Sequence, residues 1–264
     1  MPIEERLESR RVLVVAAHPD DETIGCGGLL GRLRDPLILH VTDGAPRNLA
    51  DAHRAGFELR EDYAQARRME LRNALELAGI REEQTRSFDI PDQEASLDLT
   101  VLATRVADVL RQVRPAAILT HPYEGGHPDH DATAFAVHAA CALVPAAPDI
   151  YEFTSYHAAF HSRQAGELEM GQFLIDSEPG EAVQLTDLER ERKRRMIECF
   201  ATQLEMLRRF PLDIERFRPA PVYTFIEPPH PGKLFYENFD WGMTGERWRR
   251  LAAEALEELV VAGT

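Results

Sequence analysis

Short runs rich in β-branched and aromatic residues alternate along this chain with longer stretches of helical periodicity, and that alternation constrains its fold more than any other feature. The runs are Val12–Ala17, Leu37–Thr42, Arg86–Ile90, Ala116–Thr120, Ile150–Ser155, Gln172–Ile175 and Val222–Ile226. Between them, Arg60–Ala78 and Leu97–Val113 have helical spacing; in the second, Leu99, Leu102, Val106, Val109, Leu110 and Val113 fall on one stripe. Gly79 follows the first helix and Pro115 the second, as stop signals do. Thr186-Asp-Leu-Glu189 reads as a capping box opening a third helix, and a fourth runs over 245–261. Strands separated by helices pair through crossovers, so the expected fold is α/β, three-layered, with a mostly parallel sheet and helices on both faces. The Pro- and aromatic-rich stretch 210–243 is expected to be a long loop covering the functional site.

The 264 residues, 44% of them hydrophobic, suffice for one substantial core. With no internal repeat and no Gly/Ser linker, residues 1–264 are expected to form one domain. A formal charge of −15 repels phosphate backbones and anionic bilayers, which removes nucleic acid and membrane surfaces as expected partners and favours small-molecule chemistry. The most apolar long stretch, Ala132 to Pro148, is mostly alanine and is interrupted by His138 and Pro145, too polar for a membrane span. The opening MPIEERLESRR lacks the apolar centre of a signal peptide, and Cys26, Cys141 and Cys199 form no C-x-x-C pair. A reducing cytoplasm is the expected location. The composition leaves assembly into a homo-oligomer open.

Where the first strand ends, the chain presents His18, Asp20, Asp21 and Glu22 within AAHPDDETIGCGG. Buried without partners, such a cluster would cost several kcal/mol per charge. A second cluster, THPYEGGHPDHDAT, follows the strand Ala116–Thr120 and leads into a helix. Ligands of open α/β sheets bind at the carboxyl ends of the strands, so both clusters fall where a site belongs. A catalytic zinc takes about three protein ligands from imidazole and carboxylate and keeps one position open. His18 and Asp21 supply two from one loop and His130 the third from the other. A lone histidine would ordinarily be a hydrogen-bonded core or surface residue; the pairing of two such loops argues for a metal.

The motifs A-H-P-D-D-E, here Ala17–Glu22, and H-P-D-H, here His127–His130, resemble those of the PIG-L/LmbE-like zinc-dependent N-deacetylases. The resemblance covers roughly the first 160 residues. It implies a Rossmann-like fold and hydrolysis of an N-acetyl or other N-acyl group on an N-acetylglucosamine-type conjugate. It further implies His18, Asp21 and His130 as ligands of Zn2+, with Fe2+ or another divalent ion suiting the same donors. By the same resemblance Asp20 is the general base, and His127 stabilises the oxyanion or protonates the leaving amine. Asp129 is expected to orient His127 and favour its charged form; serving as N-cap of the following helix is the equal alternative. Glu22 reads as structural.

Arg67 and Glu70 fit an R-x-x-E pattern whose Arg binds substrate hydroxyls in relatives, the alternative being a solvated ion pair. Asp92, just past a strand, matches an acidic sugar contact or a turn-forming Asp. Some relatives carry a tyrosine two residues before the second motif, where this chain has Gly125. His121 and His157 also follow strands, but read as ordinary hydrogen-bonded histidines, and Cys26 as a small buried hydrophobe. A dinucleotide site is excluded because Leu30 occupies the last glycine position of G-x-G-x-x-G, and neither H-E-x-x-H nor G-x-S-x-G occurs. The remaining rivals are a non-catalytic sugar- or metal-binding protein on the same fold and a zinc hydrolase of another bond.

Overall fold

A computed structural model of the protein describes residues 1–159, 167–174 and 180–262. In chain order, α1 (Ile3–Glu8), β1 (Val12–Ala16), α2 (Asp21–Leu30), β2 (Leu37–Pro46), α3 (Ala50–Arg54), α4 (Arg60–Leu77), β3 (Thr85–Asp92), α5 (Leu99–Val113), β4 (Ala117–Thr120), α6 (Pro128–Ala142) and β5 (Asp149–Phe153) wind the first part. There follow β6 (Tyr156–Ala158), β7 (Leu168–Met170), β8 (Glu181–Gln184), α7 (Asp187–Cys199), α8 (Leu204–Leu207), β9 (Ile214–Pro219) and α9 (Gly245–Ala262).

β1 reads Val-Leu-Val-Val-Ala and is buried at every position, because a central parallel strand is covered on both faces. The sheet runs β3-β2-β1-β4-β5-β9-β8. Its first five strands are parallel, whereas β9 joins β5 and β8 joins β9 antiparallel. The α/β architecture is therefore as expected. On one face Leu13, Val15 and Leu39 pack with Leu102, Val106, Phe135 and Trp248 of α5, α6 and α9. On the other, Val12, Val14 and Ile38 meet Leu29, Leu75 and Met196 of α2, α4 and α7. The Thr186/Glu189 capping box is formed as the sequence suggests.

Two expected strands differ. Residues 172–174 are irregular, Ile175 lies outside the described residues, and Val222–Ile226 is an irregular segment with Val222 99% exposed. The sheet is extended instead by β8 and β9, so the expected covering loop 210–243 contains a strand at its start. β9 escapes a hydrophobicity reading because its buried positions include Glu215 and Arg218. Arg218 pairs with Glu152 at 2.7 Å. Glu215 serves α2, which breaks at Cys26 (φ −145°). Its carboxylate accepts the Gly28 and Leu29 N–H groups that the break leaves free, while Lys193 donates to Glu215 and to the orphaned Ile24 carbonyl. Gly25 lies so close to β5 that a Cβ would sit 2.2 Å from the Phe153 ring.

Candidate active site

Strand order reverses between β1 and β4, opening a crevice at their carboxyl ends. From β1 the chain turns through His18-Pro19-Asp20 into α2, and from β4 it passes through 121–127 into α6. The second turn is tight: a Cβ on Gly126 would lie 1.9 Å from the Tyr156 carbonyl oxygen, and the Asp131 carboxylate accepts the Glu124 and Gly125 N–H groups. The two motifs are thereby brought face to face.

The Asp21 carboxylate accepts the His18 backbone N–H at 2.8 Å and lies 3.1 Å from His18 Nδ1. Its other oxygen is 3.2 Å from His130 Nε2, an atom that is buried yet makes no hydrogen bond among the described residues. The donor atoms of His18, Asp21 and His130 fall within 4.8 Å of one another, and His18, Asp92, His127 and Asp129 form a second such group around the same histidine. Burial opposes a charged His18, but Asp92, Asp21 and Asp129 beside it push its pKa well above the ordinary range. Asp20, Asp21 and Asp129 are buried and Asp92 nearly so, against the single guanidinium of Arg67. This crowding of buried carboxylates, the N/O donors and the His130 Nε2 without a hydrogen bond fit a divalent cation held by His18, Asp21 and His130.

Asp20 occupies a strained backbone position, φ 140°, which functional sites tolerate when surroundings enforce it. Glu22 enforces it: its carboxylate accepts the Asp20 N–H and sits 2.9 Å from His40 Nε2. Burial pushes the Asp20 carboxyl up to about 8, against the pull of Arg67. Arg67 donates to Asp20 at 3.0 Å and to the Pro19 carbonyl at 2.8 Å. The ion pair considered with Glu70 is not formed; Glu70 instead accepts from Thr202.

The Asp129 carboxylate does not hydrogen-bond the His127 ring. It accepts the Gln93 and Ala95 N–H groups and lies nearer His18 (3.3 Å) than His127 Nδ1 (3.9 Å). The N-cap of α6 is His127, whose Nδ1 accepts the Asp129 N–H, so the neutral ring carries its proton on Nε2. The expected charged His127 is corrected likewise: burial and then His18 push it down to about 3, outweighing Asp129 and Asp92. Asp92 closes β3 with its carboxylate 3.2 Å from His18 and 3.7 Å from His127. His121 accepts the Ala17 N–H and stacks on the His130 ring at 4.1 Å. Cys26 is buried, with its thiol donating to the Glu22 carbonyl.

His18, Asp20, Asp21, Arg67, Asp92, His127 and His130 all line one cavity of about 360 Å³. Its remaining wall includes Tyr156, Phe210, Phe235, Phe239 and Trp241. Sequence reading singled out neither Tyr156 nor any individual aromatic of 210–243; the only signal was the composition of that stretch. A cleft of about 600 Å³ adjoins this cavity, sharing Asp51, Arg54, Gln203, Met206 and Arg209. It contains no imidazole, so the chemistry is assigned to the smaller space.

Residues 13–141 match the PIG-L family, described as GlcNAc-PI de-N-acetylase. A probable N-acetyl-alpha-D-glucosaminyl L-malate deacetylase 2 of Bacillus cereus is 32% identical over 139 residues, 52% of this chain and 63% of that protein. A diacetylchitobiose deacetylase of Thermococcus kodakarensis is 33% identical over 129 residues, 46% of this chain and 45% of that one. The chain thus spans less than two thirds of the length of these curated relatives. Among solved structures, the A40926 pseudoaglycone deacetylase superposes with a TM-score of 0.59 at 21% identity, covering 81% of this chain and 99% of that one. The 4-carboxy-2-hydroxymuconate hydratase of Pseudomonas putida gives 0.56 at 20%, covering 81% and 98%. At such identities the likeness speaks for the fold alone.

Proposed function

We propose that the chain, whose residues 13–141 match the PIG-L family, is a zinc-dependent N-deacetylase of an N-acetylglucosamine-type conjugate. The observation that carries the reading is the convergence of His18, Asp21 and His130 beside Asp20 in one cavity. We take residues 1–264 as one domain, which the presence of β8 and β9 in the same sheet supports.

His18, Asp21 and His130 would hold the ion, which when bound polarises an amide carbonyl and makes water acidic enough to ionise near neutral pH. Asp20, beside the proposed ligands in the same cavity, accepts the proton of the attacking water. Arg67 and Glu22 hold Asp20 in place, one through its carboxylate and the other through its backbone N–H. As charge grows on the former carbonyl oxygen, the neutral His127 offers its Nε2–H as a hydrogen-bond donor. The proton held by Asp20 then passes to the departing amine. Asp92 and Arg67 line the same cavity and suit the hydroxyls of the sugar. The Asp129 carboxylate holds the loop 93–95 and lies against His18, and its contact with His127 is made through its backbone N–H.

The fold also serves a hydratase, so the test is product analysis. Metal-loaded protein given N-acetylglucosamine conjugates should release acetate stoichiometrically with free amine. Metal-dependent consumption of substrate with no acetate would refute the reading.

A further inference from the structure

Starting at His127, aromatic rings follow one another along the wall of the cavity. The Trp241 ring lies 4.9 Å from His127 and is stacked on Phe239 at 4.5 Å with an interplanar angle of 13°. Phe235 is 5.2 Å from Phe239, Tyr156 is 6.0 Å from Phe235, and Phe210 is 6.4 Å from Tyr156. All five line the cavity, and all lie beyond residues 13–141, the part matched to the family. Phe239 belongs to neither buried core cluster and keeps 42% of its surface exposed. A large exposed ring stacked at the edge of a cavity is not explained by core packing.

We propose that this arc is the subsite for the aglycone, and that it takes an aglycone bearing an aromatic ring. The inference rests on the deacetylase reading. In a glucosamine conjugate the reacting nitrogen is on C2, and the neighbouring carbons are C1, which carries the aglycone, and C3, which carries a hydroxyl. A wall that begins at His127, the group beside the reacting amide, therefore meets one of those two substituents. The Phe210, Phe235 and Phe239 rings, three of the five, offer a hydroxyl no partner but receive a flat aromatic group by offset or edge-to-face packing. The polar lining of Arg67, Asp92 and Gln93 is left for the sugar hydroxyls.

The test compares phenyl and methyl N-acetylglucosaminides, as both anomers, with metal-loaded protein and acetate as the readout; the aglycone bond is not cut, so its intrinsic reactivity does not bias the result. The phenyl glycoside should have a kcat/KM about tenfold above that of the methyl glycoside. Phe239→Ala should bring the ratio toward one, and Phe239→Tyr should retain it. A wild-type ratio near one, or a ratio that Phe239→Ala leaves intact, overturns the proposal. If no glycoside releases acetate, the deacetylase reading fails by itself, and quenching of tryptophan fluorescence then decides the subsite. Tighter binding of phenyl than methyl glycoside that is lost in Phe239→Ala upholds it, and equal binding overturns it.

Discussion

Asp20→Asn separates the chemical role of this residue from its structural one. The amide keeps the shape of the side chain but cannot accept a proton from water, so kcat should fall by roughly 10²–10⁴, equivalent to about 3–5 kcal/mol on the barrier. The same substitution removes the negative charge 3.0 Å from the Arg67 guanidinium, whose side chain is 4% exposed; the amide oxygen and the Pro19 carbonyl can still accept from it, but neither carries a charge. Stranding a buried charge costs about 3–5 kcal/mol. At about 2 °C per kcal/mol for a chain of this size, Tm should drop by roughly 6–10 °C. Arg67→Met in the Asp20→Asn background should recover most of that Tm, because no unpaired charge remains, yet recover no activity. Metal content should be unchanged throughout, since Asp20 is outside the proposed ligand set. The measurements are acetate release, thermal unfolding and elemental analysis on the same preparations. Retention of kcat within tenfold, or loss of the metal from Asp20→Asn, would refute the assignment of Asp20 as base.

Four further outcomes are expected. Elemental analysis of His130→Ala and Asp21→Asn should find the metal lost and of Asp92→Asn find it kept; the reverse would move the ion to the second donor group. His127→Ala should cost roughly 2–4 kcal/mol in the chemical step with metal retained, and a smaller effect on single-turnover rates would remove it as oxyanion donor. Lys193 and Glu215 are both fully buried at 2.9 Å, so Lys193→Met should destabilise by about 3–5 kcal/mol, and denaturant unfolding of Lys193→Met with Glu215→Gln should show a loss well below the sum of the single effects. Burial raises Glu124 to about 7 despite Arg218. A carboxyl raised in the folded state stabilises fully below its unfolded pKa and loses that contribution as pH rises through the folded value. From pH 4.5 to above 7 this should remove about 3 kcal/mol, and Glu124→Gln should flatten the stability profile across that window.

The parallel α/β arrangement was legible because it rests on local patterns. Val12–Val15 must be covered on both faces, the stripe from Leu99 to Val113 selects a helix, and Thr186/Glu189 cap one. The proposed metal donors lie in local motifs for a related reason: His18 and Asp21 are three residues apart, and His130 ends an intact H-P-D-H, so residue types at strand ends sufficed to suggest them. β9 was hidden because its inward charges, Glu215 and Arg218, are neutralised by Lys193 and Glu152, partners distant in the chain. Arg67 read as a substrate contact, with a helical ion pair to Glu70 as the alternative, but folding sets Asp20 3.0 Å from its guanidinium and engages the buried Glu70 carboxylate with Thr202, a partner distant in the chain.

Sequence by itself thus determined the strands and helices of the parallel half and the chemical identity of the groups at their ends, since periodicity and motif spacing are local properties. Tertiary structure alone decided what those groups do to one another. It turned Asp129 away from His127 toward the backbone of Gln93 and Ala95, and it buried His127 beside His18, so that the ring is neutral where its sequence neighbour suggested a charge. It also carried Tyr156, Phe235, Phe239 and Trp241 to the cavity from segments outside both motifs. Desolvation and Coulomb interaction depend on distance in space, and the pattern of residues along a chain does not contain that distance.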